Sequence, residues 1–297
     1  MHYNLILHRS SIYIRALVRI ALKKTGDFIL GIFNFNIRRT LNGRKVIVPV
    51  RSGIKVTISG EKWMSGLLKK LFNHSDGTFL DIGANLGQTL IKVKTIDPNR
   101  NYIALEPNSS CIFYLQHLVL KNNWKNVTLI PVGIYPFDCL LSLVGEHDTH
   151  GSSTVIDDFK TSSRFNSRIS KLVPLLSFST IQQCIPDVKI SFIKIDVEGA
   201  ELEVIESLSY TIRHRRPIII LEVWHNNGDP LKTSRARKLN NMLVSLNYTV
   251  FSWINTQDKP YYTEFKEAKL GDYSSENYVL LPQERQEEIK KVIQCGP

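Results

Sequence analysis

The chain has 297 residues, 43% hydrophobic and 22% charged, which fits a globular protein with a sizeable core and excludes a disordered or fibrous one. The formal net charge is +11, yet residues 1–60 alone hold eleven Lys or Arg against a single acid, Asp27, so the rest of the chain is close to neutral. That uneven spread excludes a nucleic-acid partner gripped around the active cleft, and suits instead an arm that meets an anionic membrane surface or an acidic glycan.

Taken from the N-terminus, Ser10 and Ser11 are caps for a helix from about Ile12 to Lys24. Arg15, Arg19 and Lys23 recur every four residues as one basic stripe, with Ile12, Tyr13, Leu17, Ile20 and Ala21 largely away from it. The reading placed first is a helix docked on its own domain or on a second subunit of a homodimer. Peripheral contact with the inner face of a membrane comes second. Phe28 to Ile37 is too short and too polar to span a bilayer, which needs about 20 apolar residues, and Arg15 and Arg19 interrupt any secretory signal. Lys45 to Val50 and Ile54 to Ile58 read as two short strands joined through Arg51-Ser52-Gly53, followed by a helix from about Glu61 to Phe72.

The stretch Phe79 to Thr89 is the most informative. An apolar strand reaches Asp81, a tight turn carries Gly83, Ala84, Asn85 and Gly87, and a helix opens from about Gly87 to Thr95. The glycines remove Cβ atoms where the backbone turns sharply and nears a ligand, and Asn85 tolerates left-handed backbone angles. Gly83 and Gly87 are four apart, which departs from the dinucleotide fingerprint and points away from a nicotinamide or flavin and towards S-adenosylmethionine. The second strand, Tyr102 to Glu106, closes on a carboxylate 19 residues after Gly87, a separation suited to binding the hydroxyls of a ribose. The plain alternative is a strand-end Glu facing solvent.

A helix from about Ser110 to Asn122 and a strand from Val127 to Val132 continue the alternation. Residues from Ile134 to Lys189 break it, with an exposed loop expected over Asp157 to Lys171, and read as an insertion that shapes an acceptor pocket. Strands Ile190 to Ile195 and Ile218 to Trp224 bracket a helix of about Glu201 to Tyr210. A helix of about Leu231 to Leu246, strands Thr249 to Trp253 and Asn277 to Leu281, and a polar helix from Gln283 to Gln294 complete the chain.

Four blocks in this order resemble the FkbM-type S-adenosylmethionine-dependent methyltransferases. They are Phe79 to Gly87, Ala104-Leu105-Glu106-Pro107-Asn108, Gly151-Ser152-Ser153, and Ile193 to Glu201, the last being the most family-specific, with Arg216 to Val223 as the next strand. The similarity runs from about residue 44 to residue 254. It implies a class I methyltransferase fold: α/β, Rossmann-like, doubly wound, with a mostly parallel seven-stranded sheet whose last strand is antiparallel. It also implies O-methyl transfer, commonly onto sugars, glycolipids or polyketide-derived hydroxyls. The family often carries a Leu-Asp-Asp-like segment before the fourth strand. Here the chain reads Phe178-Ser179-Thr180-Ile181-Gln182-Gln183, so no role for that pair carries over. The resulting organisation is a basic extension over 1–60 and a methyltransferase domain over 61–297 with an insertion at about 134–189.

Methyl transfer from a sulfonium needs alignment, exclusion of water and a base near the acceptor proton. The expected cofactor-binding residues are Asp81, Gly83, Ala84, Asn85, Gly87, Glu106, Pro107 and Asn108. Asp196, at the end of the fourth strand, leads the catalytic candidates, with a helix cap as its plain alternative. Glu198 and Glu201 have first-turn carboxylates as theirs. His225 is a further candidate base beside Glu222, set against a solvated turn residue. His147 and His150 flank Gly151-Ser152-Ser153 on the acceptor side. Metal independence is expected, since no His, Cys and carboxylate set has metal spacing. Cys111, Cys139, Cys184 and Cys295 are too scattered for a knuckle or a disulfide framework, which fits a cytoplasmic protein. Other acceptors, a secondary-metabolite hydroxyl or a nitrogen, and a catalytically inactive membrane-associated scaffold of the same fold, are the competing readings.

Overall fold

The computed structural model describes residues 34–52, 54–58, 61–146, 148–149, 153–160, 169–185, 187–224, 228–255, 263–267, 269–270 and 276–294. The expected basic helix from Ile12 to Lys24 lies outside them. An antiparallel hairpin comes first, β1 (Phe35–Leu41) and β2 (Arg44–Val50). It turns through Asn42 and Gly43, both at positive φ (51° and 77°), as a two-residue Asn-Gly turn demands. The expected hairpin over 45–58 is therefore displaced. Lys45 to Val50 is its second strand, and Arg51 and Ile54 form only an isolated bridge.

Next come α1 (Lys62–Phe72), β3 (Thr78–Ile82), α2 (Gln88–Ile96), β4 (Tyr102–Leu105), α3 (Ser109–Asn122) and β5 (Val127–Ile130). Met64, Leu67, Leu68, Leu71 and Phe72 recur at helical spacing and form the buried face of α1. Asn108 caps α3 by accepting from Ser110 N, and Asn123 ends it in the left-handed region.

The expected insertion holds β6 (Gly133–Ile134), β7 (Cys139–Gly145), α4 (Asp157–Lys160), β8 (Ile169–Leu176) and α5 (Phe178–Cys184). β6, β8 and β7 form a separate three-stranded sheet. The stretch expected as an exposed loop thus contains a short helix and a strand start, because Phe159 is buried against Val155, Val173 and Ala200.

The chain then returns with β9 (Ile190–Ile195), α6 (Glu201–Arg215), β10 (Ile218–Glu222), α7 (Pro230–Ser245), β11 (Tyr248–Asn255), β12 (Thr263–Glu267), β13 (Asn277–Pro282) and α8 (Gln286–Gln294). Asp229 caps α7 through Leu231 N and Lys232 N, with Pro230 at its first turn.

The main sheet has the order β12-β11-β13-β10-β9-β3-β4-β5. β10, β9, β3, β4 and β5 are parallel, and β13 pairs antiparallel with β10. This is the class I methyltransferase arrangement, with β12 added as an eighth strand beyond the expected seven. The chain runs outward through β3, β4 and β5, then crosses to β9 and β10, so the strand order reverses beside β3. Ligands of doubly wound sheets bind above such a switch point.

Both faces of the sheet are covered, as a parallel sheet requires. Phe79, Phe192, Ile218 and Ile220 meet α1, α2, α3 and the hairpin. Leu80, Ile193, Ile195, Ile219 and Leu221 meet Phe178 of α5, Val204, Ile205 and Leu208 of α6, and Leu239 and Leu243 of α7. Among the described residues no helix is long and apolar enough to cross a membrane.

Candidate functional site

The turn after β3 is fixed by its neighbours. Gly83 N and Ala84 N both donate to Leu105 O (2.9 and 3.1 Å). Gly83, Asn85 and Gly87 have φ of 82°, 45° and 87°. Both positions require glycine on steric grounds. A Cβ on Gly83 would overlap the carbonyl oxygen of Asp196, and one on Gly87 would stand 2.8 Å from Leu115 and Leu118 of α3. They serve close loop–loop and helix–helix approach, and Gly83 also lines the cleft described next.

Glu106 follows β4 and is 7% exposed. Its Oε2 accepts from Asn85 N and its Oε1 from Asn108 N, each at 2.8 Å. Burial pushes its carboxyl up to about 7, against the pull of those two amides. The solvated-Glu alternative is thereby ruled out.

Above this turn lies a cleft of about 700 Å³, counting its open mouth. Gly83, Asn85, Glu106, Pro107 and Asn108 form one side, and Asp196, Val197 and Glu198 another. Ile134, Leu143, Val155 and Leu175 supply an apolar wall from the insertion. Lys171 of β8 ties that insertion to α3, donating to Asn108 Oδ1 (3.1 Å) and Ser110 Oγ (3.2 Å) and pairing with Asp148.

Asp81 does not line the cleft. It shares strand parity with Phe79 and is fully buried. Its Oδ2 accepts from Tyr102 Oη, and its Oδ1 has no hydrogen bond among the described residues. Lys194 Nζ lies 3.9 Å from Asp81 and 2.7 Å from Asp196 Oδ2. Burial opposes the Lys194 charge, yet Asp196, Asp81 and Glu61 outweigh it and hold the ammonium above its usual range. Burial raises the Asp81 carboxyl. Glu61, at the start of α1, pairs with Lys92 at 2.8 Å; burial raises its carboxyl, but Lys92 and Lys194 bring it below the usual range.

The segment after β9 is strained. Glu198 and Gly199 have φ of 51° and 104°. Glu198 Oε2 accepts from Trp224 Nε1 at 2.6 Å, which fixes the turn. Glu201 is buried, accepts from Gly199 N at 2.7 Å, and is raised by burial to about 7.

Gly83, Asn85, Glu106, Pro107, Asn108, Asp196 and Glu198 are thus brought to one cleft, while Asp81, Ala84 and Gly87 support it from behind. Ser153 lines the cleft; His147, His150, Gly151, Ser152 and His225 lie outside the described residues. Sequence reasoning missed Cys111, Leu143, Val155 and Leu175 as lining residues and Tyr102 as the partner of Asp81. Cys111 was signalled by lying one turn into the helix that Asn108 caps; the apolar wall had no signal, since an insertion strand looks like any other. Among the described residues no group of three or more His, Cys, Asp or Glu is arranged to hold a metal ion.

The family model described as Methyltransferase FkbM domain matches residues 81–250. Methyltransferase sdnD of Sordaria araneosa is 25% identical over 52% of this chain and 69% of its own length. Methyltransferase 1 of Beauveria bassiana is also 25% identical, over 52% of this chain and 67% of its own. Among solved structures, methyltransferase FkbM from Methylobacillus flagellatus is similar with a TM-score of 0.43 and 16% identity over 69% of this chain, though over only 43% of that one. An O-methyltransferase from Bacillus cereus in complex with SAH has a TM-score of 0.44 at 10% identity, covering 76% of this chain and 82% of that one. With the family model spanning more than half its length, from the Asp81 turn to β11, this chain belongs to the FkbM methyltransferase family.

Proposed function

We propose that this methyltransferase uses S-adenosylmethionine and methylates a hydroxyl of a sugar, glycan precursor or glycolipid. The observation that carries the cofactor assignment is Glu106. Its carboxylate is buried at the strand tip beside the switch point, with each oxygen fixed by one backbone amide at 2.8 Å. Each oxygen keeps a second lone pair for a ribose hydroxyl. The wall of Ile134, Leu143, Val155 and Leu175 suits a flat base, and Gly83 and Asn85 border the way to Asp196. The residues present therefore fit the group. When bound, it supplies a methyl already activated on a sulfonium. The chain's task is then to align an acceptor oxygen, keep water out, and take the acceptor proton.

Support for a saccharide acceptor comes from the rim. Asp196 and Glu198 offer carboxylates there, and Trp224, packed outside the cleft against Phe159, holds Glu198 in place through its indole N–H. Paired carboxylates are acceptors suited to the hydroxyls of a polyhydroxylated ring, and the family resemblance points to the same class.

The test has two stages. Titration calorimetry is run with S-adenosylmethionine and S-adenosylhomocysteine, and both should bind in the micromolar range. Transfer of a labelled methyl is then measured on a panel of saccharides beside a panel of non-sugar alcohols and amines. Label confined to the second panel would reject the saccharide assignment, and binding of neither nucleoside by folded protein would reject the cofactor.

A further inference from the structure

Asp196 is not the only carboxylate at the carboxyl end of the sheet. β9 and β10 run parallel with Ile195 opposite Leu221, so Asp196 and Glu222 follow side by side on one face. That face is apolar lower down, at Phe192, Ile218 and Ile220, and becomes charged only at Asp81, Lys194, Asp196 and Glu222. The two neighbours differ in what holds them. Asp196 Oδ2 is engaged by Lys194 Nζ at 2.7 Å. Glu222 is half-buried beside Asp196, just behind the cleft lining, and its carboxylate accepts no hydrogen bond among the described residues. On β13 Asn277 pairs opposite it. The charged groups that face it are Lys194 of β9, Asp196 just after that strand, Glu61 at the N-cap position of α1 and Glu198 of the turn.

We propose that Glu222 is the residue that takes the proton from the acceptor hydroxyl, and that Asp196, clamped by Lys194, is a positioning residue. The inference rests on the S-adenosylmethionine reading above. In the step, the acceptor oxygen gives its proton to the Glu222 carboxylate and uses its electron pair to form a bond to the methyl carbon. The carbon–sulfur bond breaks, its pair stays on sulfur, and the sulfonium charge is lost with it. Burial, and then the neighbouring Asp196, push the Glu222 carboxyl up to about 8. A base in that range is well matched to work near neutral pH. A free carboxylate beside a clamped one also divides the labour, since the clamped oxygen is already spent on Lys194.

The experiment compares wild type with Glu222→Gln, Glu222→Asp and Asp196→Asn, each first shown to melt cooperatively. Carboxyl carbons of glutamate are isotope-labelled and followed by NMR against pH, with no ligand present. One signal should titrate near 8 in wild type and be missing in Glu222→Gln. In methyl transfer, wild-type kcat should rise through the same pH range. Glu222→Gln should lose about 10²–10⁴-fold in kcat together with that rise, keep its affinity for S-adenosylhomocysteine, and be partly rescued in Glu222→Asp. Asp196→Asn should act mainly on the acceptor KM. A Glu222→Gln protein that keeps its rate and pH rise, or the absence of a Glu222 signal titrating near 8, overturns the inference. Failure of wild type itself to bind S-adenosylhomocysteine would instead overturn the cofactor reading beneath it.

Discussion

Single residues at the turn after β3 carry more than one task. Gly83 must be glycine twice over: its φ is 82°, and a side chain would enter the Asp196 carbonyl. Gly83→Ala is expected to lower stability by about 1–3 kcal/mol from backbone strain alone, read as a shifted urea midpoint, and to impair cofactor binding by displacing the turn. Glu106→Gln replaces a double acceptor by a group with one oxygen, so either Asn85 N or Asn108 N faces an NH2. It should weaken S-adenosylhomocysteine binding about 10–100-fold in calorimetry; unchanged affinity would show that Glu106 only organises the turn. Asn85 and Glu106 were legible in the sequence because a left-handed position and a strand-end acid leave local marks. Asp81, expected among the cofactor-binding residues, is buried behind the cleft and does not line it. Its burial follows from sharing a pleat face with Phe79, and its partner Tyr102 sits on a different strand. Neither pairing has a mark in the local sequence.

At the scale of elements, the parallel core could be read almost strand by strand, because each apolar run ends in a turn or cap. The hairpin was placed too far along because the Asn42-Gly43 turn, the stronger signal, was passed over for Arg51-Ser52-Gly53. What holds the segment after β2 is long-range. Tyr114 of α3 accepts from Val56 N at 2.9 Å and donates to Pro49 O at 2.8 Å. Tyr114→Phe leaves both backbone groups unpaired and should cost about 1–3 kcal/mol, with faster hydrogen exchange at Val56 as the local sign. The insertion was visible as a break in alternation. Its own three-stranded sheet was not, because β6 is two residues long and pairs with a strand far ahead of it.

For the whole molecule, burial of carboxyls sets the response to pH. Glu106 and Glu201 are raised to about 7 and Glu222 to about 8, each chiefly by burial. A carboxyl raised above its unfolded value binds its proton more tightly in the folded state. Its contribution is full below about 4.5 and is lost as pH climbs through the folded value. Asp138, Asp148 and Glu284 are lowered by hydrogen bonds from Ser177, Lys171 and Arg216 respectively, so their contribution is lost in acid. Lys94, lowered by burial to about 8, acts in the opposite sense to the raised acids above that pH. The melting temperature should therefore peak near pH 5 and fall between about pH 5 and pH 8. Calorimetry at fixed ionic strength would show it, and a Tm rising across that window would contradict the burial of these three acids. The basic weight of residues 1–60 was plain from composition, since a charge count needs no fold.

The contact between Gly83 and the Asp196 carbonyl also joins two halves of the cleft mechanically. Asp196 N donates to Ile82 O at 3.1 Å, so the turn after β3 and the segment after β9 are linked along both their backbones. A shift of either one strains this contact and this hydrogen bond. On the proposed S-adenosylmethionine reading, occupancy of the nucleoside half would be felt at the acceptor half as a change in affinity, and thermodynamic reciprocity would make the effect equal in the other direction. The molecule would favour an ordered encounter, in which the first ligand sets the grip on the second.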